Sequence, residues 1–554
     1  MKKVYSLFIF GLVLILILSG CSSGKKNSSQ TDSNSLASKQ ILNQSQTADI
    51  PTLDSTQATD TLSNNVLEMV NAGLTRMHKG KVEWDLAAGA PQISSDKKTY
   101  TFTLRKGIKW SDGKPITAQN FVYGWQHEND PAAKPQYNFL YTSAYIKNAS
   151  KIQNPKDPMF GKYQNLGIKA IGDDKVQIFF DKAAPPFFYS LISQPLFFPQ
   201  REDIIKKAGK NYGQEASTIL SNGPFKLKSW DHGKGWIYVK NTGYWNAKNI
   251  HLKTINVKVV KEEGTRINLY KTNKTDTVGL TGDYIDQMKQ SNPKEIHKGL
   301  TSTTRFLFLN EKNKYLKNIN LRKAINYSFD RNDFVNILMK DGSLGSHFVV
   351  PKDFVMGPDG KDFRSVAPDG YLIGGKAEAQ KYWNKAKKEL GVTSLNLTLL
   401  TQDGDQLKKW DEYLANQIET NLKGIKITIN QQPFGNFLKL QTDFKFDISY
   451  GGWAPDYRDP MTYLDMFTTG HPQNSSAWSN KTFDQLIMSA QNEVDQTKRW
   501  NDLQQAEKIL MNDAAIAPLD QDGQTWASKQ YVKGLDYPLY GPEIDYTGAY
   551  ITKH

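Results

Sequence analysis

Apolar residues recur along this chain at two spacings, and the clearest alternation of the two lies past residue 375. Ala379, Trp383, Ala386 and Leu390 fall three or four residues apart, Gly391 ends the run, and Leu395, Leu397 and Leu399 then alternate with polar neighbours. The first spacing predicts a helix with one buried face and the second a strand. The scheme repeats with Leu407, Trp410, Leu414, Ile418 and Leu422, then Gly424, then Ile425, Ile427 and Ile429. Phe446, Ile448 and Tyr450 alternate as a third strand, which runs into a Gly451-Gly452 break followed by Trp453 and Asp456. From about Lys376 to Tyr450 the pattern is therefore an α/β series.

The preceding segments are richer in strands. Ile50 to Leu53 reads as a short strand before a polar loop and a helix near Thr61 to Asn71. Tyr100, Phe102 and Leu104 alternate as a strand, and Thr117 is placed to cap a helix with Phe121, Val122 and Trp125 on one face. A strand pair is expected around the turn Gly172-Asp173-Asp174, and another from Ser221 to Trp230 with Ile237 to Trp245. Leu321 to Lys340 reads as two short helices broken near Asp330. Trp500, Leu503, Ala506 and Leu510 mark a last helix, after which the chain finishes in short aromatic segments, with no internal repeat.

Candidate chemistry gathers between Phe446 and Phe467. The two glycines remove side chains where another backbone could approach. Trp453 beside Asp456 offers a flat apolar surface next to a carboxylate, which suits a ligand with an apolar body and a cationic head, such as a peptide amino terminus. The alternative is a plain strand and turn, with Trp453 in the core and Asp456 solvated.

Length and charge change this picture little. At 554 residues the chain exceeds what one core serves, so two or more lobes are expected. The formal charge is +14, or +12 without Lys2 and Lys3, and it is spread thinly. The densest basic cluster, Lys381 to Lys388, lies in a helical pattern and reads as a solvated face, so nucleic acid is not an expected partner.

Cysteine usage says more. Cys21 is the only cysteine, which excludes an intramolecular disulfide and a cysteine metal site. Residues 1–20 have a basic start, an apolar run from Leu7 to Leu18 and small residues before Cys21, the pattern of a secretory leader. Leu18-Ser19-Gly20-Cys21 resembles a lipoprotein processing box, which implies a lipid on Cys21. Ser22 to Ser38 is polar and nearly free of large apolar residues, so residues 21–39 are expected to be a flexible tether. A G-x-S-x-G match at Gly20 to Gly24 straddles the cleavage point and lacks the strand-turn-helix setting a nucleophile needs. The eight histidines are scattered, with no H-E-x-x-H, and no phosphate-binding Walker sequence occurs, so neither an enzyme nor a bound cofactor or metal is expected.

Several segments, in order over nearly the whole chain, resemble the extracellular peptide-binding proteins of oligopeptide ATP-binding-cassette importers, the OppA family. They are Leu53-Asp54, KWSDGKPITAQNFVYGWQ with Asp130-Pro131, NGPFKL, NTGYWN, LRKAINYSFDR, GWAPDYRDP, WSNKTFDQLI and the terminal YITKH. The resemblance implies an α/β, two-lobed, periplasmic-binding-protein-like fold of type II, in its three-domain peptide-binding subclass. Lobe 1 would comprise domain I at 40–71, 199–303 and 522–554, with domain II inserted at 72–198. Lobe 2, domain III, would be 304–521.

It further implies capture of oligopeptides for an ABC permease by a monomer lipid-anchored on the outer face of the cytoplasmic membrane of a Gram-positive cell. Asp456 matches the carboxylate that receives the peptide amine, and Gly452, Trp453 and Ala454 match the strand end that pairs with the peptide backbone. Thr59, Asp60 and Thr61 match the segment on its other edge, and Tyr137, Phe434 and Trp453 match walls of side-chain pockets. One departure stands out: where some members carry Arg shortly before the Trp, this chain has Tyr450, which leaves open how a peptide carboxylate is received. A receptor for a signalling (pheromone) peptide, or a same-fold binder of nickel or haem, is the alternative.

Overall fold

The computed structural model describes residues 35–538 and 540–554. The chain opens with β1 (Ile41–Gln46), which turns Leu42 and Gln44 inward, and α1 (Thr61–Val70). Asp60 caps α1, its Oδ1 accepting from the Ser63 N–H at 2.8 Å and so satisfying a donor the first turn leaves free. A second unit contains β2 (Thr99–Thr103), α2 (Ala118–His127), β3 (Ile168–Ile171) and β4 (Lys175–Phe179), the strands pairing antiparallel in the order β2-β4-β3. As its spacing predicts, α2 buries Phe121, Val122 and Trp125, and the Trp125 indole donates to the Phe197 carbonyl at 2.8 Å. The chain then returns through β5 (Phe225–Asp231), β6 (Gly235–Lys240) and β7 (Thr254–Val259) to β1, giving the order β1-β7-β6-β5 with only β1 and β7 parallel.

A larger sheet follows, built on β8 (Thr277–Leu280) and β9 (Ile296–Leu309). After α3 (Ile319–Tyr327), the α/β series appears as α4 (Lys376–Leu390), β10 (Leu395–Gln402), α5 (Asp405–Asn421), β11 (Ile425–Gln432), α6 (Phe434–Thr442) and β12 (Ile448–Trp453). Gly391, at φ 65°, ends α4 in the left-handed region that a side chain would strain. Then come α7 (Gln496–Asn512) and β13 (Ile516–Ser528), and the sheet order is β8-β13-β9-β12-β10-β11, with β10 parallel to both its neighbours. Leu395, Leu397, Leu399, Ile425 and Ile427 pack with Trp383, Trp410, Leu414 and Ile418 in one core, so the two periodicities meet as a sheet under helices.

Four expectations change. Ile50 to Leu53 pairs with no strand: Pro51 has no N–H to give, and the Leu53 N–H goes to the Gly213 carbonyl at 2.8 Å. Residues 35–39, read from composition as tether, are held by backbone bonds that need no apolar side chain, Ala37 N–H to the Ile551 carbonyl and Lys553 N–H to the Ser35 carbonyl. The chain does not finish only in short segments, because β13 is 13 residues long and antiparallel to the 14-residue β9. Both strands hide from a two-residue alternation. Their register shifts between Leu300 and Thr304 and again beside Pro518, so the inward face changes along each.

The fourth concerns Gly451 and Gly452. They are not a break, since β12 runs through them and pairs Gly451 with Phe306 and Gly452 with Arg305. What approaches is a side chain as much as a backbone: a Cβ on Gly451 would lie 2.5 Å from the Phe308 ring, and one on Gly452 3.1 Å from the Thr304 carbonyl oxygen. Gly451→Ala should therefore cost about 1–3 kcal/mol of stability through overpacking, read as a lower urea midpoint; an unchanged midpoint would show that Phe308 simply moves aside.

Candidate functional site

Between the N-terminal end of α1 and the C-terminal end of β12 lies a cavity of about 450 Å³. Thr59, Asp60 and Thr61 line one wall, Gly452, Trp453, Ala454 and Asp456 another, and Tyr137 and Phe434 also border it. The residues singled out in the sequence thus meet around one space, except Cys21, which lies with the leader and most of the tether outside the described residues.

The open edge of β12 faces this cavity. On one side β12 pairs with β9 from Ile448 to Trp453, but on the other β10 reaches only Ile448 and Ser449. The Tyr450 carbonyl is taken by the Gln441 side-chain amide at 3.1 Å. Beyond it, among the described residues, no neighbouring strand covers this backbone, which leaves a template for an added extended chain.

Asp456 follows just past that edge. Its backbone is pinned: the N–H donates to Thr462 Oγ1 at 3.0 Å, and the carbonyl accepts from the Tyr540 hydroxyl at 2.6 Å and from Gln194 Nε2 at 3.3 Å. Its carboxylate is not, for Oδ2 is buried without a hydrogen-bond partner. Burial, aided by the nearby charge of Asp465, raises this carboxyl well above the usual carboxylate range. A positively charged donor seated against it would restore the anion and complete its hydrogen bonding. The Trp453 and Tyr137 rings stack with centroids 6.0 Å apart and planes within 4°, so the indole is both packed and part of the cavity wall. Phe434, half-buried, stacks with Phe437 at 6.3 Å.

Sequence reasoning missed the rest of the lining. Gln194 and Tyr540 come from segments with no periodic signal, and Glu68 reads locally as one more polar helix position. Arg305 is the one cation among the described lining residues, and it is already engaged: Nη2 donates to Asp520 at 2.7 Å, Nε shares the same carboxylate, and Asp522 contacts the guanidinium too. Tyr450 packs against Trp410 with its hydroxyl buried and, among the described residues, unpartnered, and a tyrosine brings no positive charge to a peptide carboxylate.

Comparison with known proteins extends these observations. The chain is 39% identical to the substrate-binding domain of an oligopeptide ABC transporter from Bacillus anthracis, whose solved structure superposes with a TM-score of 0.90 over 94% of this chain and 100% of that one. Listeria monocytogenes OppA bound to peptide is 36% identical, with a TM-score of 0.87 over 94% of this chain and 100% of that one. The dipeptide-binding protein DppE of Bacillus subtilis is 29% identical over 97% of both chains. The fold is thus the two-lobed α/β architecture of the periplasmic-type binding proteins. The family model of the bacterial extracellular solute-binding proteins, family 5, matches residues 81–475, and the chain belongs to that family.

Proposed function

We propose that this protein captures oligopeptides outside the cell in the cleft between its lobes and delivers them to the membrane subunits of an ABC permease. The observation that carries the reading is the buried Asp456 carboxylate, its Oδ2 without a hydrogen-bond partner among the described residues, beside the open edge of β12. In this reading Asp456 receives the peptide amine while Gly452, Trp453 and Ala454 on one side, and Thr59 to Thr61 on the other, bind the peptide backbone. Main-chain pairing accepts any sequence, and Tyr137, Phe434 and Trp453 wall pockets whose waters can adapt to different side chains. The relatives support it, since one is described as the substrate-binding domain of an oligopeptide ABC transporter, one as OppA bound to peptide and one as dipeptide-binding.

A domain division at 303/304 and 521/522 would fall at the register shift shared by β9 and β13. These two strands would then be the hinge about which the lobes close. Lipidation at Cys21, a place on the outer face of the membrane, a monomeric state and the absence of catalysis and cofactor complete the proposal.

The test is calorimetric titration with a pool of short peptides, each also in amino-acetylated form. Binding that acetylation abolishes supports the reading, and binding indifferent to it removes Asp456 from its role. The pH profile adds a second check. The ammonium pairs with ionised Asp456, whose free-state pKa is raised, so affinity should rise with pH, with proton release, until the free carboxyl is itself ionised, and should fall above about pH 8 as the peptide amine loses its charge. A flat profile would contradict an amine-carboxylate contact.

A further inference from the structure

The cavity wall is lined by acids, opposite in formal sign to the protein. Five carboxylates line it, Asp60, Glu68, Asp456, Asp522 and Glu543, against the single guanidinium of Arg305, in a chain of net charge +14. Asp522 is paired with Arg305; among the described residues the other four have no cation within ion-pair distance. If Asp456 holds the peptide amine, three acids remain.

Those three are gathered by the fold. Asp60, Asn64 and Glu68 recur every fourth residue, so the cap and one face of α1 point into the cavity together. Glu543 is brought alongside by the Asn65 side chain, whose Oδ1 accepts from the Ile544 N–H at 3.0 Å. Asp60 is 6% exposed and Glu68 8%, and each has a buried oxygen, Oδ2 and Oε2, with no hydrogen-bond partner. The nearest guanidinium, Arg76, is committed elsewhere, to Asp85 at 3.1 Å and to the Glu68 backbone carbonyl at 2.7 Å. Burial pushes the Glu68 carboxyl up to about 8, against the opposing pull of the Arg76 charge, and burial likewise raises that of Asp60.

Resting on the peptide-binding reading above, we infer that Asp60, Glu68 and Glu543 form a side pocket for a lysine or arginine side chain of the bound peptide, and that the cleft selects basic peptides over acidic ones. A long cationic side chain supplies several donors, enough for the unpartnered oxygens of Asp60 and Glu68 and for the exposed carboxylate of Glu543 at the rim, and its charge is opposite to that of the ionised acids. A metal ion is a poorer occupant, because among the described residues no three His, Cys, Asp or Glu side chains converge closely enough to share one. Tyr540 links this pocket to the amine site. Burial keeps its hydroxyl protonated, and that hydroxyl donates to the Asp456 carbonyl.

The experiment is calorimetry with alanine pentapeptides that carry one lysine at each position in turn, each compared with its norleucine and glutamate counterparts. At one position lysine should bind about ten- to a hundredfold tighter than norleucine, and glutamate weaker than either. In the double variant Glu68→Gln, Glu543→Gln the lysine-to-norleucine ratio should fall towards one. Equal binding of lysine and norleucine at every position of the unaltered protein would overturn the side pocket while leaving peptide capture standing, as would a preference that survives the double substitution. Failure of every pentapeptide to bind would overturn peptide capture and the pocket with it.

Discussion

Asp456→Asn should weaken binding of a free-amine peptide about ten- to a hundredfold, the loss of a charge-assisted hydrogen bond, while leaving the same peptide in acetylated form unaffected. The substitution should also act on stability, in the opposite direction. An acid whose folded-state pKa lies above its unfolded value destabilises the fold as pH rises through that interval, and Asp456 is raised by burial. Removing the charge relieves that strain at neutral pH. The melting temperature of the unliganded variant should therefore exceed that of the unaltered protein, while the shift produced by peptide shrinks. A variant that melts lower without peptide, or binds free-amine peptide unchanged, would show that the carboxylate serves the fold rather than the ligand.

Arg305→Ala should produce the largest loss of stability, about 3–5 kcal/mol, because it strands the buried Asp520 carboxylate and leaves the partly buried Asp522 beside it without its cation. Asp520 has no exposed side-chain surface and accepts from the Arg305 guanidinium through both oxygens, and Asp522 contacts the same group. These residues sit where β9 and β13 shift register, so the cluster ties the strand pair together at the place proposed for the hinge. Chemical denaturation would measure the loss. It should shrink as the pH falls, since both carboxyls are already raised by burial and become neutral first. Adding Asp520→Asn and Asp522→Asn should recover much of it. A midpoint unmoved by Arg305→Ala would mean that the acids find other partners.

The proposed hinge, the amine site and the acidic side pocket differ in how far the sequence reveals them. Asp456 was legible because it lies within a few residues of a strand end and in a segment, GWAPDYRDP, that resembles a known family. Its carbonyl partner Tyr540 was not, since 84 residues separate the two and nothing in the local pattern draws them together. Glu68 shows the same limit: as one polar residue in the run TLSNNVLEMV it looks solvated, yet the fold buries it facing a cavity. Gly451 and Gly452 were noticed for the right reason, the need for space, but only β9 reveals that Phe308 and Thr304 fill it.

Local periodicity by itself determined the α/β series from Lys376 to Tyr450, the helix of Phe121 and Trp125, and the strand that leads to Asp456, because each follows from which neighbouring positions must be buried. Tertiary structure alone decided the pairing of the two long strands β9 and β13, the engagement of Arg305 by Asp520 and Asp522, and the gathering of Asp60, Glu68 and Glu543 on one wall. Those depend on strand register and on contacts such as Asn65 to Ile544, 479 residues apart. A period of two or 3.6 residues reports which face of an element turns inward, and carries no information about which distant segment will meet it there.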